Sequence, residues 1–146
     1  MSATEFTTED QLVSDLVEYW NTTRPAGVPD GIPFVHFRRN ETLPVPAIIV
    51  GHEGCDREKA KGMDGTGRVL LRVALRSDLD VMTSPDHRAI AASLDRELQA
   101  LDVQPGPLAL TYVHALLRES PDTAVQDRRE ITVLRYQAVA TRMEPA

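Results

Sequence analysis

One cysteine stands in 146 residues. A single thiol closes no internal disulfide, so nothing in the chain asks for an oxidising compartment. Aromatic residues make up 5% of the sequence, which leaves Leu, Val, Ile and Ala to build the core. No apolar run approaches the roughly 20 residues needed to span a bilayer as a helix, and no membrane partner is expected. The opening residues MSATEFTTEDQ lack the basic and apolar regions of a signal peptide. The chain reads as one made and used in aqueous, reducing surroundings. Basic residues are in deficit, with 16 Lys and Arg against 22 Asp and Glu and a net charge of -6. A general nucleic-acid binder needs a basic footprint to displace counterions, and this balance argues against one. An acidic surface instead keeps a chain soluble and repels DNA passing nearby.

What is present is one domain's worth of chain, residues 1–146, with 42% hydrophobic residues. That is enough to bury a core without disulfides or metal. Thr8-Glu9-Asp10-Gln11 has the form of a capping box. Leu12, Val13, Leu16, Val17 and Trp20 follow at three- and four-residue spacing and predict a helix ending near Asn21. Residues 21–45 are irregular and punctuated by proline. Long segments of this kind are often functional. Two rings within it, Phe34 and Phe37, suggest docking onto something, and 34–39 alternates weakly like a short edge strand. The tail after residue 141 should fray.

Residues 46–53, PAIIVGHE, and 68–77, RVLLRVALRS, read as strands. In the second, Val69, Leu71, Val73 and Leu75 share one face and Arg68, Arg72 and Arg76 the other. Residues 84–101 predict a helix, with Ser84 as cap, Pro85 in the first turn, and Ile90, Leu94, Leu98 and Leu101 as the buried stripe. Residues 108–117 and 129–140 read as two closing strands, joined by a long hairpin loop over 118–128. The expected fold is α+β: a mainly antiparallel sheet of four to five strands, two helices packed on one face, order α-β-β-α-β-β.

The segment HEGCDREKAKGMDGTG, residues 52–67, invites chemistry. His52 and Cys55 have metal-ligand spacing, but a structural zinc site needs two such pairs and no second Cys exists. Gly62, Gly65 and Gly67 resemble a phosphate loop, yet they run into a strand rather than a helix N-terminus, and no Gly-Lys-Ser/Thr follows. A nucleophile at Cys55, with His52 close by, lacks a visible orienting third group, and Ser84, with His87 nearby, is better explained as a helix cap, a use that occupies its hydroxyl. The glycines are better explained as backbone freedom at a hairpin tip. No cofactor or metal is expected, and the chain does not read as an enzyme.

The arginine stripe has two readings. Exposed charge is the default on a solvated sheet face. The sharper reading is a subunit contact, in which arginine forks meet carboxylates such as Asp122, Asp127 or Glu97 of a neighbour.

The succession EDQLVSDLVEYW, LPVPAIIVGHE, GRVLLRVALRS and HRAIAASLDRELQAL, closed by two strands, resembles the tail terminator (tail completion) proteins of long-tailed bacteriophages, with related minor tail and neck proteins. The match lies in element order and hydrophobic texture over residues 9–140, and the 21–45 insertion departs from it. The resemblance implies a virion protein, assembled in the host cytoplasm, with no catalytic role. It implies a homo-oligomeric ring, usually a hexamer, that stops polymerisation of the major tail tube protein and meets the head–tail connector or stopper. DNA would pass through its lumen without specific binding. The expected contact residues are Phe34, Phe37, Arg57, Lys59, Lys61, Arg68, Arg72, Arg76, Asp122 and Asp127. The alternatives are a head-side neck or connector protein, a general protein-interaction adaptor, and, from another class, a small enzyme or ligand-binding domain using His52, Cys55 and His114.

Overall fold

The computed structural model describes residues 8–37, 45–57, 66–103 and 108–142, with the side chains of 54–57 and 66 set aside. The elements are α1 (Thr8–Thr22), β1 (Phe34–His36), β2 (Ala47–Arg57), β3 (Thr66–Asp78), α2 (Ser84–Gln99), β4 (Thr111–Arg118), β5 (Asp122–Gln126) and β6 (Arg129–Arg142). The described strands form one sheet in the order β1-β2-β3-β6-β4, and β5 pairs with β6 beside β4. The fold is therefore α+β, but with six strands rather than four or five. The element order is α-β-β-β-α-β-β-β, and β1 runs parallel to β2 in an otherwise antiparallel sheet.

The apolar stripe of α1 and that of α2 enter one core with the inward face of the sheet. Leu12, Leu16 and Trp20 from α1, Leu94 and Leu98 from α2, and Leu71, Val73 and Leu75 from β3 are buried together. Both helices thus cover the same face, and the alternation read in β3 falls as expected. A second small cluster, Ala47, Ile49, Ala74 and Val133, is buried on the opposite face.

Three local expectations change. Residues 118–128 are not one long loop. β5 lies within them and returns through a two-residue turn in which Asp127 (φ 53) and Arg128 (φ 62) both take the left-handed conformation. Positive φ at both central positions is the type I′ geometry, whose twist matches that of paired strands. The cap of α2 is Thr83 (φ -74, ψ 156), not Ser84: its hydroxyl accepts from the Asp86 N–H at 3.3 Å. Ser84 moves one place into the helix, which ends at Gln99 rather than Leu101.

The first half of the proline-rich segment is packed down. Val28 and Ile32 are buried, and Arg24 donates to the Pro29 and Ile32 carbonyls, each at 2.9 Å. Its guanidinium also lies 5.0 Å above the Phe34 ring. Gly27 (φ +88) sits against Ser93 of α2, where an added Cβ would come within 2.5 Å of the Ser93 Oγ.

Candidate assembly surfaces

Phe34 faces inward. It is buried, and its ring centroid lies 5.3 Å from that of Trp20. The sequence expectation that Phe34 docks onto a partner is corrected: it docks onto its own core. Phe37 points the other way, 53% exposed, and lies over Gly51, where a Cβ would meet the Phe37 Cβ at 2.8 Å. Phe37, Gly51, Glu53 and Arg72 line a cleft of about 250 Å³ on the sheet face away from the helices.

The arginine stripe lies on that same uncovered face. Arg72 pairs with Arg135 across β3 and β6, and like charges so placed require compensation. Glu53 supplies it, 3.6 Å from Arg72 Nε and 2.8 Å from Arg135 Nε. Asp122 on β5 accepts from Arg135 at 2.6 Å. Two carboxylates and two guanidiniums thus form one network across four strands, and these partners hold Arg135 more firmly protonated than a free arginine. The carboxylates that the stripe was expected to find on a neighbour are, for Arg72, found on its own chain. Arg68 is exposed and makes no ion pair among the described residues. Arg76 is half-buried, and its Nε has no hydrogen-bond partner among the described residues. Asp127 occupies the β5–β6 turn. Arg57 ends β2, while Lys59 and Lys61 lie outside the described residues.

The residues of the enzyme alternative are spread out. His52 and Cys55 are on β2 and His114 on β4, three strands away across β3 and β6, or roughly 14 Å at the usual strand spacing. His52 Nε2 lies 3.4 Å from Asp10 of α1, and His114 bonds Thr141 at 2.7 Å.

Two polar groupings, one buried and one partly exposed, escaped the sequence reading because their members are distant in the chain. The first centres on His87, whose ring is fully buried. Its Nδ1 is 2.6 Å from Ser77 Oγ and its Nε2 2.8 Å from Thr132 Oγ1. Glu130, also buried, accepts from the Ser84 hydroxyl through one oxygen, and its other oxygen lies 3.7 Å from His87 Nε2. Burial pushes the His87 pKa down, opposed by the Glu130 charge and aided by Arg88. In the second, Asp95 of α2 receives Arg118 of β4 at 2.8 Å and the Tyr136 hydroxyl of β6. Burial alone would raise the Asp95 pKa, but the bonds from Arg118 and Tyr136 outweigh it and hold the carboxyl low. Burial, and then the bond to Asp95, push Tyr136 up to about 12. Both groupings tie α2 to the sheet, and neither opens onto a described cleft. The only advance signal was His87 one turn after a Thr-Ser-Pro helix start.

No protein-family model matches the chain. No curated protein matches it either. Among solved structures, the chain is similar to one from the virion of a native gene transfer agent particle, at 13% identity and a TM-score of 0.52, over 92% of each chain. At that identity the likeness is one of fold.

Proposed function

We propose that this chain is a structural subunit of a tailed, phage-like particle. It forms a ring at the head-proximal end of the tail, ends polymerisation of the tail tube, and presents a surface to the head connector. The observation that carries the reading is the shared fold over nearly the full length of a chain from a gene transfer agent virion. The surface supports it: one face of the sheet is left uncovered by the helices and carries the exposed Arg68 together with the exposed apolar side chains Leu70, Tyr112 and Leu117. The physical logic is closure, since a head-to-tail contact repeated about an axis makes a ring. The net charge of -6 suits a lumen through which DNA slides without sticking. No step of this role needs catalysis, and the reading assigns the chain no enzymatic activity, cofactor or specific nucleic-acid site.

Gold labelling of a tagged copy on intact particles tests this. The label is expected at the junction of head and tail, at one position per particle. Label spread over the head shell, or gathered at the far tip of the tail, would overturn the reading.

A further inference from the structure

The uncovered sheet face is not uniform. At the end built from the start of β3, the end of β6 and β4, the register lines up three rows. Leu70 is opposite Gln137, which is opposite Leu117. Arg68 is opposite Val139, which is opposite Ala115. Thr66 is opposite Thr141, which is opposite Tyr112. Residues directly opposite share a face, and Val69 and Leu71 point into the core. Leu70, Val139, Leu117 and Tyr112 therefore project together, away from both helices. Leu117 is 60% exposed, Tyr112 38% and Leu70 36%. Scattered exposed leucines need no explanation, but exposed apolar side chains gathered on one face around Gln137 and Thr141, with an arginine at the rim, have the make-up of an interface.

The opposite layer carries the complementary charge. α1 holds Glu9, Asp10, Asp15 and Glu18 and no basic residue. Glu9 and Asp15 are buried, and Asp15 is occupied by the Leu110 N–H at 2.7 Å and the Thr111 hydroxyl at 2.8 Å. Glu18 is exposed and makes no ion pair among the described residues. It lines a cleft of about 180 Å³ with Tyr19, Thr22 and Ala109. One layer of the molecule thus offers a cation, Arg68, with no ion pair among the described residues and with Asp56 of β2 across from it in the register, and the other a carboxylate, Glu18, with no ion pair among the described residues, beside a tyrosine.

We propose that these two surfaces meet between copies of this chain: the Leu70–Leu117–Tyr112 patch of one copy packs on the outer side of α1 of the next, with Arg68 seated in the Glu18 cleft. Resting on the ring reading above, the inference names the partner of the sheet face. The contact joins different patches on each copy, so it is heterologous and repeats around an axis. The leucines and tyrosine supply the buried area. The Arg68–Glu18 pair fixes register, because an arginine desolvated against a matched carboxylate discriminates strongly against a mismatch.

Charge reversal and rescue on the full chain test this, read by light scattering after size exclusion at low salt. The wild type is expected to elute as a multiple of 16.2 kDa. Arg68→Glu, Glu18→Arg and Leu117→Asp should each shift the population to monomer, with a dissociation constant raised at least tenfold. All three positions are exposed, so circular dichroism and melting temperature should not move. The combined Arg68→Glu, Glu18→Arg chain should recover assembly, because every copy then presents both reversed partners; a fold defect would not be rescued. Single reversals that leave the oligomer intact would overturn this contact while the ring reading stands on another surface. A wild type that stays monomeric at every concentration would overturn a second copy as occupant. Rescue together with gold label away from the head–tail junction would keep the contact and sink the ring's proposed role.

Discussion

His87 shows what one buried side chain contributes and how it responds to pH. Both ring nitrogens are bonded to hydroxyls, and its folded pKa lies below the ordinary histidine value of 6.5. The unfolded chain therefore takes up a proton near pH 6.5 that the folded chain refuses. Stability is full above that pH and falls as the pH drops below about 6.5. Asp95 adds a second loss at lower pH, since its depressed folded pKa protects the fold until that carboxylate too is protonated. Urea titrations from pH 8 to 5 should show the first decline, and His87→Gln should flatten it while lowering stability at pH 8. An unchanged slope in that variant would show that His87 is not its source. The two candidates for the α2 cap separate in the same assay. Thr83→Ala removes the bond to the Asp86 N–H and should cost about 1 kcal/mol. Ser84→Ala strips the described donor from the buried Glu130 carboxylate and should cost about 1–3 kcal/mol. Sequence alone placed the cap on Ser84 because Ser-Pro fits the start of a helix so well. What it lacked was Glu130, 46 residues on in the chain, which claims that hydroxyl.

The elements that were legible are those with one buried face. α1, β3 and α2 declare themselves by period because the core takes every second residue of a strand and every third or fourth of a helix. β5 does not, because all five of its residues are exposed and no alternation is imposed on Asp-Thr-Ala-Val-Gln. Its turn was hidden too, since Asp127-Arg128 lacks the glycine that usually marks type I′ geometry. Replacing the pair by Asn-Gly relieves the left-handed arginine but removes the exposed Arg128–Asp80 ion pair of 2.9 Å. Such exposed pairs are worth little, so the double substitution should raise the melting temperature by a few degrees, corresponding to about 0.5–1 kcal/mol. Scanning calorimetry reads it, and a lowered melting temperature would mean the strain argument fails. The stretch between β2 and β3 belongs to the same scale. Replacing residues 58–65, which lie between the paired ends of β2 and β3, with a two-residue Asn-Gly link should leave a chain with native circular dichroism and reduced joining of tails to heads. Normal joining by that variant would remove the stretch from the list of contacts.

At the scale of the molecule, two layers leave one sheet face uncovered by helix, and that asymmetry adds to the fold likeness in support of an assembling subunit. Composition and period revealed the α+β class and the two helices on one side. They did not reveal that β3 and β6 are the central neighbours, because that pairing joins residues more than 50 positions apart, Asp78 with Arg129 at its nearest. Nor did they show that Arg72 and Arg135 share Glu53, or that Leu70 and Leu117 stand on one row. An arginine stripe can be seen in a sequence, but its partners depend on strand order. The same geometry turned Phe34 from a docking residue into a core residue and left Phe37 outside. The central claim, that this chain ends the tail, is tested most directly by tail length. Electron microscopy of particles made without the chain should show tails of irregular, excessive length, unattached to heads, with normal length and joining restored by supplying it in trans. Tails of normal length joined to filled heads in its absence would contradict the account.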